Sequence, residues 1–367
     1  MEFGKYHFRY YMSSTLIVLV SLLAIIWLNQ TLRLLELVVS RGGSLADFAL
    51  LSILPLPLWL MLALPMAVFS SVIWVLQKLS SDREIVVMQA IGVSKPQLAF
   101  PAVFFGAVTS LCLILNSFYL LPWSFSGFKE LQTEIRTSIP KVLIKDGEFI
   151  DLDRGLTIFI GEKRGPTEIG NVFIQDNRQS NKFVTFTARA GSFGTENGRA
   201  ILELKNGQRT ELSENGDASA LLSFQSHMLD ISRSTGQTTE RLLLDTNEDS
   251  VWNLLNPGPD IPERYRNDRI AEGHFRLIIP LLPLTLTMVA VLGLGQANAG
   301  RQRRTAGIFT TACIGLFIVI AAVLARSSIA EETRSWPILY IIVLGPILFG
   351  IGYLYRPKYD SEFVESK

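Results

Sequence analysis

The stretch FALLSILPLPLWLMLALPMAVFSSVIWVLQ, residues 48–77, contains no charged side chain. It is followed by the short charged segment KLSSDREIVVMQAIGVSK, residues 78–95, and then by a second charge-free run, residues 96–128. A helix rising 1.5 Å per residue crosses about 30 Å of hydrocarbon in about 20 residues, so each run is long enough to span a bilayer. Four further charge-free runs do the same: Tyr10 to Leu32, Leu277 to Gly300, Thr305 to Ala325 and Ser335 to Tyr355. Six transmembrane helices follow. Composition agrees, since 49% of residues are hydrophobic and only 18% charged, more apolar than a soluble domain. The first run is too long for the apolar core of a signal peptide and lacks a small-residue cleavage site, so it reads as a retained helix. Cys112 and Cys313 fall inside predicted spans and read as small packing residues.

Orientation follows from Lys and Arg near the span ends. One side carries Lys5, Arg9, Lys78, Arg83, Lys95, Arg301, Arg303, Arg304, Arg356, Lys358 and Lys367; the other carries Arg33, Arg41, Arg326 and Arg334. The richer side is expected to be cytoplasmic, with both termini inside.

Between the third and fourth spans lies one large polar region, whose charges do not bear on orientation because long domains translocate regardless. Its runs KVLIKDGEFIDL, GLTIFIGE, NVFIQD, KFVTFTARAGSF, AILEL and LLSFQSHMLDIS are rich in β-branched and aromatic residues. Three Asn-Gly pairs, at Asn197, Asn206 and Asn215, suit type I′ turns between antiparallel strands. About ten strands in a sandwich or jelly roll are expected. The fold class is thus a membrane α-helical protein with three spans, an inserted β-jelly-roll domain and three more spans. Boundaries are drawn at 1–128, 129–270 and 271–367, with a turn-rich exit around Asn256-Pro257-Gly258-Pro259.

Sequence signals for catalysis are sparse. His7, His227 and His274 are scattered, with no HExxH or CxxC spacing, so no metal site is expected. GQANAGRQ, residues 295–302, has glycines at phosphate-loop spacing, but Arg301 and Gln302 replace the required Lys and Ser/Thr. No nucleotide site is expected on this chain. A catalytic triad in the β domain would rely on His227, without a Gly-x-Ser-x-Gly elbow to support it.

The charged segment after residue 77 therefore becomes the main functional candidate. Ser80, Ser81 and Asp82 suit a cap for a helix starting near Arg83, Glu84 suits its positively polarised first turn, and Gly92 with Lys95-Pro96 ends it. Glu84, Met88 and Ile91 share one side at helical spacing. Such a helix can tile the bilayer surface, or it can act as a peg that fits a groove on a separate cytoplasmic motor.

SSDREIVVMQAIGVSK, preceded by LPMAVFSSVIWVLQKL, resembles the cytoplasmic loop of the lipopolysaccharide-export permeases of the LptF/LptG type. The resemblance extends over essentially the whole chain: the RYY start, three spans, the β insertion, AEGHFRLIIPL leading into the fourth span, and two more spans. LPWS at residues 121–124, VWNLL at 251–255 and RIAEGHFRL at 269–277 lie nearer the LptF branch.

The resemblance implies a non-catalytic permease subunit of an ATP-binding-cassette transporter, multi-pass in the inner membrane of a Gram-negative bacterium, extracting lipopolysaccharide towards a periplasmic bridge. It implies as partners a second LptG-like permease, an LptB-like ATPase dimer carrying ATP and Mg, and a single-span LptC-like bridge protein. No cofactor is expected on this chain. Arg83, Glu84, Met88 and Ile91 would meet the ATPase. Arg33, which sits where the family places a basic residue near its lipid cavity, heads the candidates for lipid phosphate, with Arg41, Arg136, Arg276 and Arg326. Glu272 and Arg276, four residues apart, most simply pair with each other. A permease for another lipid or lipoprotein exporter and a membrane-anchored periplasmic scaffold or enzyme are the competing readings.

Overall fold

The computed structural model describes residues 2–41, 44–137, 147–153, 155–165, 168–177, 183–196, 199–212, 218–230, 245–259, 261–294 and 301–356. Six helical stretches are long and apolar enough to cross a membrane: Phe8–Leu32, Leu45–Ser81, Lys95–Thr133, Tyr265–Leu294, Thr305–Glu331 and Thr333–Leu354. They match the six charge-free runs, and extend several of them. The chain divides into two compact units, Met1–Asn29 with Leu54–Ser126 and Asp245–Lys367, and Gln30–Ile53 with Gly127–Leu244.

Among the described residues the helices are α1 (Glu2–Arg41), α2 (Leu45–Ile53), α3 (Leu56–Ser81), α4 (Glu84–Ala90), α5 (Lys95–Leu115), α6 (Leu121–Thr137), α7 (Val251–Leu255), α8 (Glu263–Ile278), α9 (Leu282–Leu294), α10 (Arg301–Glu331) and α11 (Trp336–Leu354). A π-helical turn, Asn116–Leu120, joins α5 to α6. In the first unit α9 is the central helix, packed by α3, α5, α10 and α11. Its span is 67% buried, against 17% for the first span and 22% for the sixth. The first and last spans therefore leave most of their apolar surface uncovered by this chain. Cys112 and Cys313 also lie on exposed helix surfaces rather than in the packed interior expected of them, because a span without partners on every side has apolar positions all round.

Hydrocarbon offers no hydrogen bonds, so backbone groups freed by prolines need partners within the protein. The third span meets some of these groups, and other backbone groups of the same unit besides. Ser117 donates to the Arg276 carbonyl at 3.1 Å, Asn116 Nδ2 to the Pro57 carbonyl at 2.9 Å, and Ser124 to the Leu54 carbonyl. Ser110 accepts from the Leu284 N–H in the first turn of α9.

In the second unit, Leu34, Val38, Leu51 and Ile135 form a small core between α1, α2 and α6. Among the described residues the β domain forms one antiparallel sheet in sequence order: β1 (Phe149–Asp153), β2 (Leu156–Lys163), β3 (Glu168–Asp176), β4 (Phe183–Glu196), β5 (Arg199–Leu212) and β6 (Ala218–Asp230). It curves around its own core of Ile158, Ile174, Phe186, Leu202, Leu204 and Leu229, among others, as a jelly-roll-like body. The described residues hold six strands rather than about ten, because the strands are long. Asn197-Gly198 lies between β4 and β5 and Asn215-Gly216 between β5 and β6, both outside the described residues, whereas Asn206-Gly207 lies inside β5.

Asn206 has φ 53° and Asn171 in β3 has φ 52°, with Arg189 of β4 opposite both. Across this line the buried side chains exchange sequence parity: Val172 and Ile174 are buried on one side, Ile169 on the other. The left-handed residues kink the strands while register is kept on both sides, which lets the sheet fold over one core.

Candidate functional site

The site legible in the sequence is α4. Helix α3 runs on to Ser81, so Ser80 and Ser81 belong to it and do not cap α4 as expected. Arg83 instead makes the break by adopting φ 59°, with no side-chain cap, and its carbonyl accepts from the Val87 N–H at 3.1 Å. At the other end Gly92, at φ 90°, turns the chain out. Its N–H donates to Gln89 O at 3.1 Å, and the Val93 N–H to Met88 O at 3.0 Å. This paired closure is the Schellman motif, which favours glycine at the left-handed position. Ser94 then opens α5, its N–H donating to Gln97 Oε1 at 3.0 Å.

These two left-handed residues fix which side of α4 faces out. Ile85 and Met88 are buried, while Glu84, Val87 and Ile91 are exposed, Ile91 at 75%. The outward edge is thus Glu84–Val87–Ile91. Met88 belongs to the packed face, contrary to the expected Glu84–Met88–Ile91 ridge, because the helix is only seven residues long and Met88 is needed with Ile85 to seat it. A carboxylate beside two apolar side chains on a short, firmly closed peg is suited to binding, not to catalysis.

A second polar constellation lies at the opposite ends of the spans, where the chain enters the fourth. Arg276 is fully buried. Its Nε donates to Glu272 Oε1 at 2.9 Å, and its terminal nitrogens donate to Asp249 O at 3.1 Å, Thr246 O at 2.8 Å and Asn247 Oδ1 at 2.9 Å. Glu272 Oε2 also accepts from Arg326 Nε at 2.7 Å, and Arg269 pairs with the buried Asp249. The Cβ that Gly273 lacks would lie 2.9 Å from Leu255 Cδ2, so α7 rests directly on α8. VWNLL and RIAEGHFRL are therefore one packed structure.

This cluster separates the sequence candidates. The expected Glu272–Arg276 pair is present, and Arg276 commits its donors to anchoring the segment 246–249. Arg326 keeps about a third of its side chain exposed, with its guanidinium 5.9 Å from the Phe275 ring centroid. The side chains of Arg33, Arg41 and Arg136 lie outside the described residues. Asp249, Arg269 and the carbonyls of Thr246 and Asp249 were not singled out by sequence; the Ser250 cap of α7 is the one local signal nearby.

Two of the three histidines are accounted for by packing, and the side chain of His7 lies outside the described residues. His274 stacks on Trp336 with ring centroids 5.5 Å apart, its Nδ1 3.1 Å from the Tyr340 hydroxyl. His227 stacks on Phe186 at 5.1 Å and lies 5.3 Å from Phe224. Burial, and then the nearby Arg209 charge, hold its pKa below the ordinary value. Among the described residues no group of three or more His, Cys, Asp and Glu side chains is placed to hold a metal ion.

The family model described as lipopolysaccharide export system permease LptF/LptG matches residues 5–358. An uncharacterized protein of Rickettsia prowazekii is 28% identical over 291 residues, covering 79% of this chain and 80% of that protein. The lipopolysaccharide export system permease protein LptF of Escherichia coli K12 is 26% identical over 266 residues, covering 69% and 72%. The protein of the same name from Shigella flexneri matches to the same extent.

Proposed function

The chain belongs to the lipopolysaccharide export system permease LptF/LptG family, and from that premise we propose that it is the LptF-type permease subunit of an ATP-driven exporter. It takes lipopolysaccharide from the inner membrane of a Gram-negative bacterium and passes it to a single-span periplasmic bridge protein. A second, homologous permease stands beside it, and a cytoplasmic ATPase dimer, which binds ATP and Mg, drives it. Both termini are cytoplasmic and the β domain is periplasmic, the arrangement favoured by eleven basic residues against four near the span ends.

The observation that carries this reading is the outward edge of α4, Glu84–Val87–Ile91, held between two spans by left-handed residues at each end. An exposed acid with an apolar anchor fits a mixed groove on a motor protein, and Arg83 at the break contributes charge beside it. Met88 acts from below by seating the peg. The sparse burial of the first and last spans leaves apolar surface for the second permease and for lipid. Arg33, Arg41, Arg136 and Arg326 are the cations offered to lipid phosphates, while Arg276 holds the segment 246–249 in place beside Arg326.

The test compares Glu84→Ala and Ile91→Asp with the unaltered chain, reading ATPase co-purification and lipopolysaccharide release from membranes. Both variants are expected to insert normally while losing ATPase and release. Normal association and release in both would overturn the coupling role.

A further inference from the structure

Beneath α4, on the side opposite its exposed edge, the structure contains a narrow slot. Leu76 of α3, Ile85 of α4, Leu98 and Ala99 of α5, Val291 of α9 and Leu354 of α11 wall it. Its cavity volume is about 40 Å³, and it opens outward at a mouth. Lys95, an exposed residue that opens α5, stands at that mouth with its Nζ 5.2 Å from the centroid of the Tyr353 ring.

We propose that this slot seats one acyl chain of an anionic phospholipid from the surrounding leaflet, with the lipid phosphate on Lys95 Nζ. Three features carry the assignment. The walls are aliphatic, so water gains no hydrogen bonds there and does not compete for the space. The slot is narrow, which suits a single hydrocarbon chain. Its lone described cation is at the mouth and on a flexible stem, placed to meet a phosphate at headgroup level while the chain lies below. Tyr353 gives the ammonium an aromatic face that leaves its remaining donors free to turn outward.

Ile85 is one of the walls and is itself the buried foot of α4. A chain in the slot therefore bears directly on the helix that presents Glu84 and Ile91. The seated lipid is a resident of the membrane, distinct from the cargo, and its binding stands on the slot alone, whether or not α4 meets an ATPase.

The test places the photo-crosslinker benzoylphenylalanine at Leu98, or at the control position Phe100, in the full-length chain in membranes containing phosphatidylglycerol and phosphatidylethanolamine. Phe100 is 65% exposed and does not line the slot. Irradiated protein is purified and its adducts are weighed, with and without the co-purifying ATPase. Phosphatidylglycerol is expected at position 98 beyond its bulk share, falling about fivefold in Lys95→Gln and restored in Lys95→Arg, with position 100 unaffected. No lipid adduct at 98, or one in bulk proportion and indifferent to Lys95→Gln, overturns the proposal. A lipopolysaccharide adduct there would assign the slot to the transport path, and an ATPase adduct would assign it to the protein interface; either also overturns it. An unaltered chain with which no ATPase co-purifies, its lipid adduct intact, would count against the coupling role of α4 and leave the lipid seat standing.

Discussion

Ser117 donates its hydroxyl to the backbone carbonyl of Arg276 at 3.1 Å, and that is the carbonyl which Pro280, lacking an N–H, leaves without a helical partner. Two spans are thus joined at a point where hydrocarbon would otherwise face a bare carbonyl. Ser117→Ala is expected to lower stability by about 1 kcal/mol. Ser117→Thr should keep most of it. Thermal unfolding in detergent distinguishes the two, and equal melting of both variants with the unaltered chain would show that the carbonyl finds another donor.

Arg276 and Arg326 share the Glu272 carboxylate but should respond differently to removal. Arg276→Ala leaves Glu272 paired through Oε2 with Arg326 but strips Oε1 and two carbonyls of their donors, at a cost of about 3 kcal/mol. Arg276→Lys should recover little, since an ammonium cannot reproduce the forked contacts to Glu272, Thr246 and Asp249. Arg326→Ala, at a partly exposed site, should cost about 1 kcal/mol or less. Yield of monodisperse protein by fluorescence-detected size exclusion reads the difference.

Gly273→Ala puts a methyl 2.9 Å from Leu255 Cδ2 and 3.1 Å from the Leu255 N–H nitrogen. Overpacking of this kind costs about 1–3 kcal/mol. Truncating the partner in Leu255→Ala relieves the side-chain clash but not the backbone one. The double variant should therefore lose less than the sum of the single losses, while falling short of full rescue. A double-mutant cycle on melting temperature measures the coupling.

Gly92→Ala forces an L side chain to φ 90°, where nothing crowds it but the backbone geometry itself is unfavourable. The cost, about 1–2 kcal/mol, falls on the end of α4. Hydrogen exchange should quicken at Gly92 and Val93, whose N–H groups close the helix, while the spans stay protected. Unchanged exchange at both amides would mean that the closure does not depend on glycine.

Acid should weaken the β domain through His227. Its folded pKa lies below the ordinary 6.5, by burial first and Arg209 second, so the folded state binds the proton less well than the unfolded chain does. The stability is therefore full above about pH 6.5 and is lost as pH falls from there towards the folded value. His227→Gln should flatten this dependence between about pH 8 and pH 5. Hydrogen exchange of β4 to β6 at the two extremes tests it, and an equal acid effect in the variant would point to other groups.

The membrane spans were legible because hydrocarbon imposes its demand residue by residue, and a charge-free run of sufficient length has few other uses. The place of α4 was legible for the same reason: it is the charged interruption. Its faces were not, since Ile85, Val86, Val87, Met88 and Ile91 are apolar on every side of a two-turn helix, and only packing beneath it selects the inward pair. Strand number failed at Asn206-Gly207, where residues suited to a turn instead bend a strand that continues. The role of Arg276 depends on partners 27 and 30 residues away in the chain, a separation that no local pattern encodes.

The π turn at Asn116–Leu120 has a consequence for alignment and engineering. Such a turn accommodates one residue more than the α-helical repeat, which advances everything after it by about 100° of azimuth. Ser124 reaches the Leu54 carbonyl only in that advanced setting. A deletion of one residue within 116–120 would leave an apolar, unbroken and apparently better helix, yet it would rotate the hydroxyl off its acceptor and put a neighbour in its place. The third span is thus sensitive to its residue count as well as to its composition, and a shortened homologue at this point would need a different partner for Leu54.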